Sequence, residues 1–242
     1  MKIKSCRNCG KKEITKLFSL GKLSFTGKFS TAVKENIPKA EITLVICKKC
    51  KLVQLDRNFN PKYLYGKDYG YRSGINKTMT DHLTKTAMLL SHKTHLKNTD
   101  SVLDIASNDG TLLNAYKNKK ITKVGVDPII SKFDKFYSKT TTQISGFFSH
   151  SLLVRKGIVK KFKIITALSV FYDLKNPNQF LKDVRKNLCE KQGVFLLEFA
   201  DLLSIVKYKL FDTICHEHLE YYSAKVILMM LEKNDLKVID LH

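Results

Sequence analysis

Four cysteines in two C-x2-C pairs, Cys6 and Cys9 in CRNCG and Cys47 and Cys50 in CKKC, restrict this chain more than any other feature of its sequence. Two thiolates two residues apart grip one face of a tetrahedral ion, and a second pair completes the four-sulfur shell of a structural zinc. Gly10, directly after Cys9, permits the tight turn that such a knuckle needs. A closed shell leaves no open position, so this zinc is expected to hold structure and carry no chemistry. So short a segment buries little by itself, and a zinc-stapled lobe over residues 1–62 is expected.

The 242 residues, 43% of them hydrophobic, suffice for a sizeable core. The longest apolar runs, ITLVI at 42–46 and VILMML at 226–231, fall far short of the roughly 20 residues of a membrane span. MKIKSCRNCGKKE has no apolar h-region, so a cytoplasmic location is expected, where paired cysteines more often bind metal than form disulfides. Cys189 and Cys215 lack partner spacing and read as ordinary thiols. The formal charge of +21 points toward nucleic acid. Against it, arginine occurs only at 7, 57, 72, 155 and 185, while lysine is scattered throughout. Solvated faces are therefore expected, with a field that draws negatively charged substrates.

SVLDIASNDGTLLNAYKN reads as an apolar strand, a turn of small polar residues, and a helix starting near Thr111. Asp104 closes the strand, and Ala106, Ser107, Asn108 and Gly110 would let backbone amides approach a ligand. About 20 residues on, VGVDP ends a second strand at Asp127, where a carboxylate can accept both hydroxyls of a ribose. G-x-G-x-x-G is missing, which disfavours a pyrophosphate and so a dinucleotide; S-adenosylmethionine, a nucleoside without phosphate, fits better. Pro128, and Ser169 after the strand in KFKIITALSVFYDL, complete the candidate cofactor contacts.

Between lobe and strand lies NFNPKYLYGKDYGYRSG, a linker marked by Pro61, Gly66, Gly70 and Gly74. Its tyrosines, Tyr69 and Tyr71 among them, either staple lobe to domain or line a pocket. The apolar positions Met79, Leu83, Ala87 and Leu90 predict a helix from Ile75 to about Lys97. PNQFLKDVRKNLCEK reads as a helix, GVFLLEFA as a buried strand ending near Glu198, and LKVIDL as a closing strand. The pattern is α/β, a Rossmann-like domain over residues 63–242 behind the zinc lobe.

FDTICHEHLEYYS sets Glu217 between His216 and His218 and follows them with Tyr221 and Tyr222. In an extended backbone both histidines share a face that Glu217 does not. No i, i+4 histidine pair of a zinc protease is present.

CRNC with CKKCKLVQL, DYGYRSG, VLDIASNDGTLL, VGVDP, SVFYDLKNP and FDTICHEHLEYYS resemble, in order and over nearly the entire chain, the zinc-containing S-adenosylmethionine-dependent C-methyltransferases of nucleotide-linked deoxysugars. The resemblance implies a zinc lobe, a class I methyltransferase domain, and a C-terminal part that helps hold the nucleotide sugar. The chain stops at His242, so it resembles a truncated or a split member, the latter with a separately encoded C-terminal part as partner. It implies His218 as the base that removes a proton beside the sugar's ketone, with Glu217 orienting or polarising the site. Tyr69, Tyr71, His216 and Tyr221 would contact the sugar. Many members carry tyrosine where this chain has Cys215, so the enolate would be served by Tyr222 or Tyr221. Many read NVFAH where this chain has SVFYD, which puts Asp173 at a histidine position, and Ala106 replaces a common glycine at the expense of one methyl. Other readings are a non-catalytic zinc- and cofactor-binding module, and a nucleic-acid methyltransferase, whose catalytic motifs the sequence lacks.

Overall fold

The computed structural model describes residues 1–26, 36–65 and 69–241; Gly66 of the linker lies outside them. Strands are Ile14–Ser24 (β1), Lys39–Cys47 (β2), Val53–Leu55 (β3), Ser101–Ile105 (β4), Thr122–Asp127 (β5), Thr141–Ser145 (β6), Ile164–Leu168 (β7), Val194–Glu198 (β8) and Glu220–Tyr221 (β9). Helices are Lys77–Lys93 (α1), Thr111–Ala115 (α2), His150–Arg155 (α3), Pro177–Asn187 (α4), Leu202–Lys207 (α5) and Ala224–Lys233 (α6). Two compact units result: Met1–Gly70 with Ser169–Lys182 and Phe199–His242, and Tyr71–Leu168 with Asp183–Glu198.

The second unit is a parallel sheet in the order β6-β5-β4-β7-β8. Every residue of β4 is buried, as expected of a strand covered on both faces. From β4 the chain steps outward to β5 and β6, then returns to β7 on the other side of β4. That reversal opens a crevice at the carboxyl ends of β4 and β7, where doubly wound sheets bind ligands. Leu83, Ala87 and Leu90 of α1 pack with Val102, Leu112, Leu113 and Ile164. Asn76 caps α1, its side chain accepting from the Met79 amide at 3.2 Å.

The first unit is an antiparallel sheet in the order β1-β2-β3-β9. Its last strand comes from the HEHLEYY stretch: Val53 pairs with Tyr221 and Gln54 with Glu220. Each C-x2-C pair forms the same knuckle. The amide of Gly10 donates to the Cys6 carbonyl and that of Lys51 to the Cys47 carbonyl, each at 2.9 Å. Both residues are left-handed, φ 72° at Gly10 and φ 64° at Lys51, so a lysine occupies a conformation that glycine adopts without cost.

Arg7 fills the first x of CRNC and points inward. Its guanidinium donates to the carbonyls of Leu55 and Arg57, at 2.8 and 2.9 Å, and to the side chains of Gln54 and Asn58. Its Nε lies 3.3 Å from Glu220 Oε1, with both side chains essentially inaccessible. The neighbouring Asn8 carbonyl accepts from Asn178 of α4 at 2.9 Å.

LKVIDL is not a strand: residues 236–241 have no regular structure, and Ile239 is 74% exposed. Apolar alternation alone makes no strand, because the backbone needs a ladder partner, and none pairs with this segment among the described residues.

Arg7→Ala would strand the Glu220 carboxylate in the core. A loss of roughly 3–5 kcal/mol is expected, read from the urea midpoint of the zinc-loaded chain, and an Arg7→Met/Glu220→Leu pair should recover most of it.

Candidate active site

The turn after β4 is built on unusual backbone. Ala106, Asn108 and Gly110 all have positive φ, 58°, 49° and 75°. At Gly110 only glycine fits, since a Cβ would fall 2.6 Å from the Tyr137 ring. Ala106 is therefore more than an added methyl: it holds a left-handed conformation costing about 1 kcal/mol. Hydrogen bonds hold the turn in place. The Ala106 amide donates to the Val126 carbonyl at 2.8 Å. The Asn108 amide donates to Asp127 Oδ2 at 3.0 Å and the Ile129 amide to Asp127 Oδ1 at 2.8 Å. Tyr137, which the sequence did not single out, braces the turn from beneath. Its hydroxyl donates to the Asn108 carbonyl at 2.8 Å, so at the 2.8 Å contact with Ser107 the serine is the donor.

Asp104 is buried in the crevice and accepts from Thr166 Oγ1 of β7 at 2.6 Å. Burial pushes its carboxyl up to about 7, with Asp127 adding to the rise. Burial raises Asp127 as well, and its two backbone donors oppose this. Pro128 is half-buried beside it. Phe147 follows β6, the neighbour of β5, and is 61% exposed; no motif signalled it. Ser169 is exposed with φ 53°.

The segment after Gly70 straps onto this turn. The Ser73 amide donates to Asn108 Oδ1 and the Gly74 amide to Asp109 Oδ2, each at 2.9 Å. The Asn108 amide side chain donates to the carbonyl of Tyr71, whose ring is exposed. A Cβ at Gly74 would lie 2.6 Å from Asp109 Oδ2 and 2.9 Å from Thr111 Oγ1, so a side chain there would push both aside. Glu198, at the carboxyl end of β8, meets Nε2 of His82 at 2.7 Å.

In the first unit the sulfurs of Cys6, Cys9, Cys47 and Cys50 lie within 4.8 Å of one another. The contacts Cys6–Cys50 and Cys9–Cys47 measure 3.5 and 3.6 Å, near the ~3.8 Å edge of a tetrahedron with Zn–S bonds of about 2.3 Å. Gln54 Nε2 donates to Cys6 Sγ at 3.2 Å, as suits a thiolate. The four cysteines fit zinc.

The FDTICHEHLEYYS stretch is bent around residues 215–217, not extended, and this sends its two histidines to different surroundings. His216 is fully buried, its ring 4.5 Å from Phe25 and 4.9 Å from Phe59, with Nε2 donating to the Ala40 carbonyl. That placement is a core histidine's, away from solvent. His218 is half-buried against Tyr172, ring centroids 4.3 Å apart. Its Nδ1 lies 2.7 Å from the Thr213 carbonyl, which can only accept, so Nδ1 carries the proton and Nε2 the lone pair. Burial lowers its pKa, which keeps the ring neutral near pH 7. Glu217 accepts from Thr26 Oγ1. Burial pushes the Cys215 thiol up to about 12, so it stays protonated. Tyr221 and Tyr222 are both buried with hydroxyls that lack hydrogen-bond partners, and Tyr222 packs on Phe171 and Phe199. The Tyr69 ring lies tilted against that of Tyr65, centroids 5.9 Å apart.

Residues 71–241 match the family model described as a methyltransferase domain, and residues 6–65 match one described as a zinc binding domain. The chain belongs to the methyltransferase domain family. The chain is 25% identical over 248 residues to C-methyltransferase NovU of Streptomyces niveus, covering 99% of this chain and 57% of that protein. It thus spans little more than half the length of that curated relative. Among solved structures it is similar to a chain in the complex of the Haloferax volcanii Trm112 methyltransferase activator with a methyltransferase. The TM-score is 0.54 at 16% identity, over 69% of this chain and 74% of that one. It is also similar to plantazolicin methyltransferase BamL, solved with a desmethyl-plantazolicin analog and S-adenosylhomocysteine, at TM-score 0.53 and 18% identity, over 65% and 63%. At these identities the structures show the fold alone. The methyltransferase fold and the glycine-like turn fit S-adenosylmethionine as methyl donor.

Ala106→Gly relieves the left-handed strain and should stabilise the chain by about 1 kcal/mol in urea unfolding. Asp104 gives a pH signature. Its folded pKa, about 7 against an ordinary 3.8, means that the proton favours the folded state. This contribution is complete below about pH 4 and is lost as pH rises through 7. The stability of the wild type relative to Asp104→Asn should therefore fall between pH 4 and 7 and then level off, which thermal unfolding across that range would read.

Proposed function

We propose that this methyltransferase moves the methyl group to a carbon beside the ketone of a nucleotide-linked 4-keto-deoxysugar. The observation that carries this reading is the fixed tautomer of His218, an imidazole held neutral with its Nε2 lone pair unspent. A carbon acid needs such a base, since a C–H beside a ketone becomes nucleophilic only when its proton leaves. Oxygen or nitrogen acceptors need less help.

His218 Nε2 takes the α-proton and becomes imidazolium, with its Nδ1–H still donating to the Thr213 carbonyl. The electron pair moves through the α-carbon to the ketone oxygen, and the enolate carbon forms the new bond. S-adenosylmethionine, when bound, supplies an electrophilic sulfonium methyl. Glu217, anchored by Thr26, faces the nascent imidazolium with opposite charge, which favours proton uptake. The likeness to C-methyltransferase NovU supports a carbon acceptor. The order of the CxxC, SNDGTLL and HEHLxYY motifs supports the sugar.

The proton step can be separated from methyl transfer. Incubated in D2O with S-adenosylhomocysteine, the wild type should exchange the α-hydrogen of a nucleotide-linked 4-keto-6-deoxysugar, seen by NMR. His218→Ala should slow exchange roughly 10²- to 10⁴-fold while leaving cofactor affinity unchanged. Neither exchange nor methyl transfer by the wild type on such sugars would end the proposal.

A further inference from the structure

Arg72 departs from the rest of the strap: its side chain makes an ion pair with Asp109 but no hydrogen bond among the described residues. Asn108 and Asp109 engage the backbone on either side of it, so the residue is fixed at the cofactor turn. Its guanidinium carbon sits 4.0 Å above the Phe136 ring, which fixes the plane as well. Nε is buried and has no hydrogen-bond partner; the nearest acid, Asp109 Oδ2, is 3.4 Å away and already receives the Gly74 amide. Among the described residues no acceptor meets the Nη edge. Arg7 shows the contrast within the same chain, with its donors spent on carbonyl and amide oxygens.

An arginine held by stacking and by its neighbours, whose Nη edge meets no acceptor among the described residues, is preorganised for a planar anion. Asp109 neutralises part of the charge from the Nε side, which leaves the two-pronged Nη edge as the recognition surface. The turn that Arg72 adjoins is the one whose left-handed residues and Asp127 fit the nucleoside of the methyl donor. That donor carries no phosphate, and its one anionic group is the carboxylate of its amino-acid end. We infer that Arg72 is the cofactor-carboxylate ligand of this methyltransferase, with Phe136 and Asp109 as its positioning residues.

Calorimetric titration of the zinc-loaded full chain tests this with three probes: S-adenosylhomocysteine, its decarboxylated analogue, which keeps the amine, and 5′-methylthioadenosine, which lacks the whole amino-acid end. The wild type should prefer S-adenosylhomocysteine over the decarboxylated analogue by roughly ten- to hundredfold, the range of one charge-assisted hydrogen-bond pair. Arg72→Gln should erase that preference while 5′-methylthioadenosine binds within about twofold of wild type, and Arg72→Lys, with charge but no fork, should restore part of it. A wild type indifferent to the carboxylate overturns the assignment, and this arm needs no variant to fold. So does Arg72→Gln retaining the full preference, or weakening all three probes equally, which would make Arg72 only a fastener of the strap.

Discussion

The buried pair between Arg7 and Glu220 ties the distant parts of the first unit into one structure. Arg7 belongs to a zinc knuckle and Glu220 follows HEHL, so 212 residues of chain close on one enclosed contact. Neither charge tolerates burial alone. Burial drives the Glu220 pKa upward and that of Arg7 downward, and each partner opposes the other's shift. The arginine is then saturated by carbonyls of β3 and its flanks, so it fixes where the β9 backbone can lie. Zinc enters through geometry: the CRNC knuckle aims Arg7 inward, and Gln54 joins the Cys6 sulfur to the same guanidinium. The metal needs no open coordination position to matter for His218, two residues before Glu220.

The cofactor turn meets a different constraint with the same economy. Three left-handed residues in five would unwind if left to themselves, and two of them are not glycine. Asp127, Tyr137 and the Tyr71–Gly74 strap each bind the turn by hydrogen bonds. Side chains that might have faced a ligand, Ser107 and Asn108, are spent on that bracing. What the turn offers a nucleoside is therefore mostly backbone shape, together with the neighbouring carboxylates.

Much of this was legible in the sequence wherever the signal is local. The C-x2-C pairs, the strands that carry Asp104 and Asp127 near their ends, and the α1 periodicity each report geometry within a few residues of themselves. What escaped depends on partners far along the chain. The pairing of Gln54 with Glu220 has no local mark, and neither does Tyr137 under a turn 29 residues earlier. LKVIDL failed for the converse reason, a fair local pattern without a neighbour. Lys51 shows a limit of residue statistics: it takes the role that Gly10 announces, with nothing in CKKCK to say so.

His216 and His218 carry the same lesson into the chemistry. Two residues apart and identical in type, they are separated by a bend that period-two reasoning does not anticipate, and their carbonyl partners select opposite nitrogens. Ala40 holds His216 by Nε2 and leaves its Nδ1 enclosed, with no partner among the described residues. Thr213 holds His218 by Nδ1, and the lone pair falls on Nε2. The difference between the two histidines thus lies in which backbone carbonyl each ring finds, and in Phe25 and Phe59 closing over one ring while Tyr172 packs tilted against the other.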